Sequence, residues 1–573
     1  MPLHNAEIAA AFDRLADLLE IEGANPFRVR AYRNAARTVE DLPRAAAAMI
    51  AAGEDLSKLP GIGKDLAGKI AELVETGHLE LLDEVGKRTP KTLADIAAIP
   101  GLGPKRVKAI YEELKVETPE QLAEAARAGK LRELTGFGAK TEAKILTELE
   151  RARAIERRTR LFDAEQVAEP LAAYLKAQKG VGDVTVAGSY RRRKETVGDL
   201  DILVTAERGA RIVDRFVAYE EVERVVSKGT TRSTVILRSG LQVDLRVVPR
   251  ASYGAALHYF TGSKAHNIGL RKWAVKRGWK LNEYGLFEGD KRIAGRTEKE
   301  VYDKFGLAWV PPELREDEGE IEAAAKGALP ELVTLSRIKG DLHAHTAASD
   351  GKFSIREMAL AAKERGYDYL AITDHSKRAT VARGLDADRL ARQIDEIDAL
   401  NDGLSGIRIL KSSEVDILDD GTLDLPDSIL KRLDLAVCSI HYAFDLPLDR
   451  QTERVIRAMD DRYFNILAHP SGRLINERRA YGIDLEAVMR AALERGCYLE
   501  LNAHPSRLDL DDAHCKMAKE MGLKVAISTD AHSTNGLAMM RFGIDQARRG
   551  WLEADDVLNT RSWSALAKLL ARG

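Results

Sequence analysis

Seven short apolar runs recur between residues 338 and 533, each separated from the next by a helix-patterned stretch: IKGDLHAHT, YLAITDHS, IRILKSSEVD, LDLAVCSIHYA, FNILAHPS, YLELNAHPS and KVAISTDAHS. Alternating strand and helix demands a parallel sheet. Nearly every run ends in His, Asp or Glu, and the C-terminal ends of strands are where a β/α barrel carries its chemistry. This pattern predicts a (β/α)7 barrel over 338–573. A lone histidine is ordinarily a core or surface residue, so His504 and His514 carry no weight. Ligand-type residues at corresponding strand ends do.

A second pattern lies upstream. DVTVAGSYRRRKETVGDLDILV (183–204) reads as strand, turn and strand, and 233–248 as a third strand carrying Asp244 among apolar neighbours. Asp199 and Asp201 are two apart on a strand and so point to one face. Three carboxylates on one sheet face repel one another unless cations lie between them, and two Mg²⁺ or Mn²⁺ ions there would suit nucleotidyl transfer. Gly188 and Ser189 form a turn that offers donors to a triphosphate, with Arg191 and Arg192 to neutralise charge.

The first 155 residues are patterned as helix throughout, and one element recurs three times: LPGIGKDLAGKI (59–70), IPGLGPKRVKAI (99–110) and LTGFGAKTEAKI (134–145). The glycine pairs Gly61/Gly63, Gly101/Gly103 and Gly136/Gly138 let the chain turn between helices. They also leave backbone N–H groups at the next helix N-terminus for a phosphate. Tyr32 lies among arginines on a basic amphipathic helix within 25–40 and is placed with the DNA-binding residues.

A chain of 573 residues is too long for one core. Three cysteines without close pairing suit a reducing cytoplasm, the N-terminus lacks a signal-peptide layout, and no apolar run spans a bilayer. The formal charge of −2 argues against a polyanion binder only on average. Residues 1–310 carry 52 basic and 45 acidic side chains, residues 311–573 carry 36 and 45, and within 231–280 Asp244 is the sole acid among ten bases.

These motifs resemble known families across essentially the whole chain. The repeated glycine element resembles the helix-hairpin-helix motif, a sequence-independent binder of the DNA backbone. The N-terminal helices resemble the lyase domain of DNA polymerase beta, which puts Lys69 where that family has a Schiff-base lysine. Gly-Ser followed by Asp-x-Asp and a later strand Asp resembles the nucleotidyltransferases. YFTGSKAHNIGLR (259–271) and LAWVPPELREDEGE (307–320) narrow this to family X. That resemblance makes Tyr259, Phe260, Gly262, Ser263, Lys264, Asn267 and Arg271 nucleotide contacts. Gln242 and Lys264 depart from the polymerase beta pattern, where an arginine and a carboxylate stand. The C-terminal runs resemble the PHP (polymerase and histidinol phosphatase) domain with nine ligand positions filled. This implies one ion on His343, His345, Glu414 and Asp530, a second bridged by Glu414 to His441 and His469, and a third on Asp350, His375 and His532, with Zn²⁺ or Mn²⁺ as the metal.

The resemblance implies a bacterial or archaeal-type family X DNA polymerase with a PHP nuclease. The domains fall at 1–82 (lyase-like), 83–155 (tandem hairpins), 156–250 (palm, α+β), 251–316 (thumb), 317–337 (linker) and 338–573 (PHP). The expected partners are gapped or nicked DNA and dNTPs, with no membrane, for a monomer in the cytoplasm. The PHP reaction is a 3'-5' exonuclease, a 3'-phosphatase or an abasic-site endonuclease. Two rivals remain: a DNA-tethered phosphatase with a vestigial polymerase, and a non-catalytic DNA-end scaffold.

Overall fold

A computed structural model describes residues 5–40, 46–59, 61–97, 99, 102–134, 137–138, 141–143, 145–146, 149, 158–476 and 478–572. The chain divides into two compact units, residues 1–157 and 158–573. No helix among the described residues is long and apolar enough to cross a membrane.

The first unit is helical. Helices α1 (Asn5–Glu22) and α2 (Pro26–Glu40) pack along apolar stripes at three-and-four spacing, and one core runs from Ile8 to Leu149. The repeated glycines act as the sequence suggests where they are described. Gly63 and Gly103 are the N-caps of α3 (Lys64–Thr76) and α4 (Pro104–Leu114), and Gly61 takes a left-handed φ of 78°. In the third hairpin the Gly138 carbonyl accepts from the Thr141 and Glu142 amides at 2.9 and 3.0 Å. Gly101 and Gly136 lie outside the described residues. Tyr32 corrects an expectation. It falls on the buried stripe with Val29, Ala35, Ala36 and Val39, is 3% exposed, and packs edge-on to Phe12 at 5.8 Å. Helical period, not the neighbouring arginines, decides which way it faces.

The second unit begins with α5 (Leu161–Lys176) and a five-stranded sheet. Its strands are β1 (Val181–Val186), β2 (Asp199–Ala206), β3 (Val222–Lys228), β4 (Arg232–Leu237) and β5 (Gln242–Val248), in the order β1-β2-β5-β4-β3. The single strand expected over 233–248 is therefore two, joined by a tight turn at Ser239–Gly240 in which Gly240 takes φ 83°. Helices α6 (Tyr253–Thr261) and α7 (Lys264–Val275) and a small antiparallel sheet complete the thumb region. The segment expected as a linker contains a helix, Glu320–Lys326, with Glu320 and Ile321 buried.

Beyond it run β6 (Gly340–Asp341), β7 (Tyr369–Ile372), β8 (Arg408–Lys411), β9 (Glu414–Asp416), β10 (Ala436–Ser439), β11 (Phe464–Leu467), β12 (Tyr498–Asn502) and β13 (Val525–Ser528). All their pairings are parallel. Strands β8 and β9 are one run broken at Ser412 and Ser413, which makes seven runs. Parallel bridges at His375–Glu414 and Ala344–Ala531 link the two halves and join the first run to the last, consistent with a closed barrel. The middle strands are buried on both faces, as their unbroken apolar sequences require.

Helix α8 (Met540–Arg549) turns one face toward the palm. Phe542, Ile475 and Leu508 join the palm's apolar core, and Phe542 meets Phe162 edge-on at 5.7 Å. Ion pairs cross the same seam: Arg193 to Asp545 (2.8 Å), Arg541 to Glu165 (2.5 Å) and Arg473 to Glu195 (2.6 Å).

Candidate active sites

The first site is built on the parallel pairing of β2 with β5. Register sets Asp201 directly opposite Asp244 and Asp199 opposite Gln242, so the three carboxylates share one face. Thr234 and Gln242 donate to the two oxygens of Asp244 at 2.5 and 2.8 Å. Gln242 thus orients Asp244 by a neutral bond where polymerase beta has a cation. Burial, then the charges of Asp199 and Asp244, push the Asp201 carboxyl up to about 7. A divalent cation relieves this repulsion, so the donor set suits one. Gly188 makes room for the site: at φ 63°, a Cβ there would lie 2.7 Å from Asp201 Oδ2.

A cleft of about 550 Å³ opens over Asp199 and Asp201, with Asp244 outside its lining. Its lining includes Gly188, Ser189, Arg192, Asp199, Asp201, Tyr259, Phe260, Gly262, Lys264, Asn267 and Arg271. Arg271 stacks over Tyr259 at 5.4 Å and Arg246 over Phe260 at 4.3 Å. Asn267 Nδ2 donates to the Tyr259 carbonyl at 2.7 Å, while its buried Oδ1 has no partner among the described residues. Two residues are used differently from expectation. Arg191 lies outside the lining and makes a bidentate pair with Glu298 (2.8 and 2.7 Å), which also accepts from buried Arg315 at 2.6 Å. Ser263 caps α7, its Oγ accepting from the His266 amide at 3.2 Å. Arg158 lines the cleft too and was missed. It stands just before the palm motifs, where nothing in the pattern distinguishes it from neighbouring arginines.

Lys69 lies in a separate hollow of about 480 Å³ in the first unit, with Arg28, Tyr32 and Gly63. Its ammonium pairs with Asp65, one helical turn earlier.

The second site gathers all nine strand-end residues. Glu414 is its hub: His469 Nε2 and His441 Nε2 lie 2.9 and 3.1 Å from Oε1, and His375 Nδ1 and His343 Nε2 lie 2.9 and 3.4 Å from Oε2. Asp530 Oδ1 is 3.1 Å from His345 Nε2, and Asp350 Oδ2 is 3.4 and 3.3 Å from His375 and His532. Three groups have ligand atoms close enough to share an ion: His345/Asp350/His375/His532, His343/His345/Asp530 and His375/Glu414/His441. His345 and His375 each stand in two groups, so the partition among ions is less separate than the resemblance implied.

The electrostatics fit cations as well. The Nε2 atoms of His343 and His345 face each other at 3.1 Å, and His345 Nδ1 is buried without a hydrogen-bond partner among the described residues. Burial opposes charge on His375 and His441. Glu414, helped by Asp350 and Asp416 respectively, still holds them up to about 11 and about 9. Burial, then His375, pushes His345 down to about 4. Sequence reasoning missed two supporting acids: Glu500 accepts from His343 Nδ1 at 2.7 Å, and Asp416 lies 3.1 Å from His441 Nδ1. Such partners fix a ligand histidine's tautomer. Both lie inside the quoted runs, Asp416 at a strand end and Glu500 in mid-strand, and being acids within apolar runs was the available signal.

The Asp201 shift yields a test. A carboxyl whose folded pKa is raised costs stability as pH climbs from its ordinary value of 3.8 through about 7. With a chelator present, Asp201→Asn should therefore melt above wild type at neutral pH, by a few degrees, and the gap should close toward about pH 4. Equal melting temperatures at both pH values would contradict the repulsion.

Comparison with known proteins matches family models in chain order. These are a helix-hairpin-helix domain (3–79), a SAM-like helix-hairpin-helix tandem (91–151), the DNA polymerase beta palm (162–249), the DNA polymerase beta thumb (256–316) and the PHP domain (341–504). The DNA polymerase/3'-5' exonuclease PolX of Bacillus subtilis (strain 168) is 39% identical over 574 residues, covering all of both chains. A probable phosphatase of Thermoanaerobacter sp. (strain X514) is 33% identical over 231 residues, 38% of this chain and 89% of that protein. Another, from Acetivibrio thermocellus, is 35% identical over 202 residues, 34% of this chain and 78% of its own. With a full-length relative, and with palm, thumb and PHP models matching in order, the chain belongs to the PolX family of DNA polymerases.

Proposed function

We propose that this protein fills short gaps in DNA during repair by adding dNTPs at the β2/β5 carboxylates, and trims or deblocks 3' ends at the Glu414 cluster. The carrying observation is the register that sets Asp201 against Asp244 beneath a cleft lined by Gly188, Ser189 and Arg192. Asp199, Asp201 and Asp244 would hold two Mg²⁺ or Mn²⁺ ions, which supply Lewis acidity to the primer hydroxyl and the triphosphate. Asp244 is the group nearest in role to a base for that hydroxyl, and Thr234 and Gln242 fix its orientation. Tyr259 and Phe260 meet the incoming sugar, Asn267 the base edge, and Arg271 the template. The hairpin glycines at 61, 63, 101, 103, 136 and 138 grip the backbone beside the gap. The protein acts as a cytoplasmic monomer.

At the Glu414 cluster, up to three Zn²⁺ or Mn²⁺ ions on the nine ligands would supply hydroxide and clamp a phosphate. Glu500 and Asp416 hold the ligand imidazoles in place. The substrate is a DNA 3' end: a mispaired nucleotide, a 3'-phosphate or an abasic residue.

One assay separates this from its rivals. On one-nucleotide-gapped DNA with dNTPs and Mn²⁺ or Mg²⁺, extension should vanish in Asp244→Ala and persist in His343→Ala, and 3' trimming should do the reverse. A wild type that trims without extending under any metal points to a tethered phosphatase, and one that does neither to a scaffold.

Lys264 occupies the first turn of α7 at the cleft, where helix dipole and ammonium both attract phosphate. It should make dNTP binding unusually independent of metal, so Lys264→Ala should lower metal-free dNTP affinity about tenfold. Unchanged affinity would end this reading. Lys69 is the proposed Schiff-base nucleophile for an abasic 5' sugar, once its amine leaves Asp65. Borohydride should trap the protein on such an end, and trapping that survives in Lys69→Ala would remove Lys69 from the role.

A further inference from the structure

We infer that the PHP domain is a working part of the nucleotide site, with Arg549 as a positioning residue for Arg192. This rests on the reading that Arg192 meets the triphosphate. Arg549 closes helix α8 and is buried at the seam with the palm. Its Nη1 donates to the main-chain carbonyl of Arg192 at 2.9 Å, across 357 positions of sequence, and to Glu316 Oε1 at 3.1 Å. The same Glu316 oxygen accepts from Arg192 Nε at 2.9 Å. One carboxylate oxygen therefore ties the two guanidinium groups together, while Arg549 Nη2 is anchored on Asp512.

The next residue is held from the same helix. Arg193 donates to Asp545, one turn before Arg549, at 2.8 Å, and pairs with Glu165 at 2.6 Å. Helix α8 thus grips two consecutive residues of the loop that follows the Gly188–Ser189 turn. Arg192 Nη1 reaches the Thr261 carbonyl at 2.5 Å, which sets the guanidinium at the cleft beside Gly262. All these bonds are charge-assisted and largely shielded from water, where such bonds are strongest. A guanidinium held in place before the nucleotide arrives spares the ordering cost that binding would otherwise meet. Neither Arg549 nor Asp545 lines the cleft, so their effect reaches it through Glu316 and the Arg192–Arg193 segment.

The test uses full-length protein on one-nucleotide-gapped DNA. Arg549→Lys keeps a cation for Asp512 and Glu316 but cannot span Glu316, Asp512 and the Arg192 carbonyl together. It should raise the KM for dNTP about tenfold, leave kcat within about twofold, and leave the KM for DNA and the 3' trimming rate unchanged. Arg549→Ala should raise the dNTP KM further, so that lysine acts as a partial rescue, and Asp545→Asn should act in the same direction more weakly. An unchanged dNTP KM in Arg549→Lys overturns the inference. So does a parallel fall in extension, trimming and melting temperature, which marks a purely structural role. Failure of the wild type to extend at all would instead sink the gap-filling reading and this inference with it.

Discussion

Like charges brought together inside a protein raise their own cost unless something opposite lies between them. Both sites of the second unit are built around that constraint. In the palm, a parallel strand pair fixes Asp201 opposite Asp244, and strand geometry leaves the carboxylates no way to turn apart. In the PHP region, five imidazoles converge on the single carboxylate of Glu414, and two of them, His343 and His345, set their Nε2 atoms 3.1 Å apart. The scaffolds differ in every other respect. One is a mixed sheet with a free edge, the other a circuit of parallel strands, yet each spends its most rigid elements on holding groups that repel. Rigidity is what makes the arrangement useful, because a looser frame would relax and lose its affinity for cations.

Much of this was legible in the residues themselves. The strand-end ligands announced their positions because a parallel barrel repeats one environment seven times, so each run of the sequence reports the same rim. The Asp-x-Asp pair was equally plain, since a period of two leaves one face to choose. What stayed hidden depended on partners distant in sequence. Glu298 is an unremarked acid until Arg191 and Arg315 fold onto it, and that contact withdraws Arg191 from the cleft. Tyr32, placed with the DNA-binding residues for its neighbouring arginines, is buried by helical phase. The turn at Ser239–Gly240 was overlooked because the apolar alternation on either side of it stays in step. The near-neutral net charge, by contrast, was resolved from the sequence itself into a basic first portion and an acidic second one.

The acidic excess of the C-terminal portion also reads differently once the seam is known. Asp512 and Asp545 are not solvating charges, and they stand outside the metal-ligand groups found among the described residues. Asp545 receives Arg193 from the palm, and Asp512 anchors Arg549 at the seam. Glu165, Glu195 and Glu316 reciprocate from the palm and thumb side. Charge is exchanged across the boundary in both directions, a pattern that composition counted by domain cannot reveal.

That exchange bears on how the chain can be dissected. A cut near residue 337 would take Arg541 from Glu165, Arg473 from Glu195, Arg549 from Glu316 and Asp545 from Arg193 at one stroke, and leave Phe162 facing water in place of Phe542. A palm-and-thumb fragment prepared this way would not be the polymerase without its appendix. It would be a different molecule, with Arg192 and Arg193 held by fewer partners beside its nucleotide cleft, and its kinetics would describe that wound more than the native site.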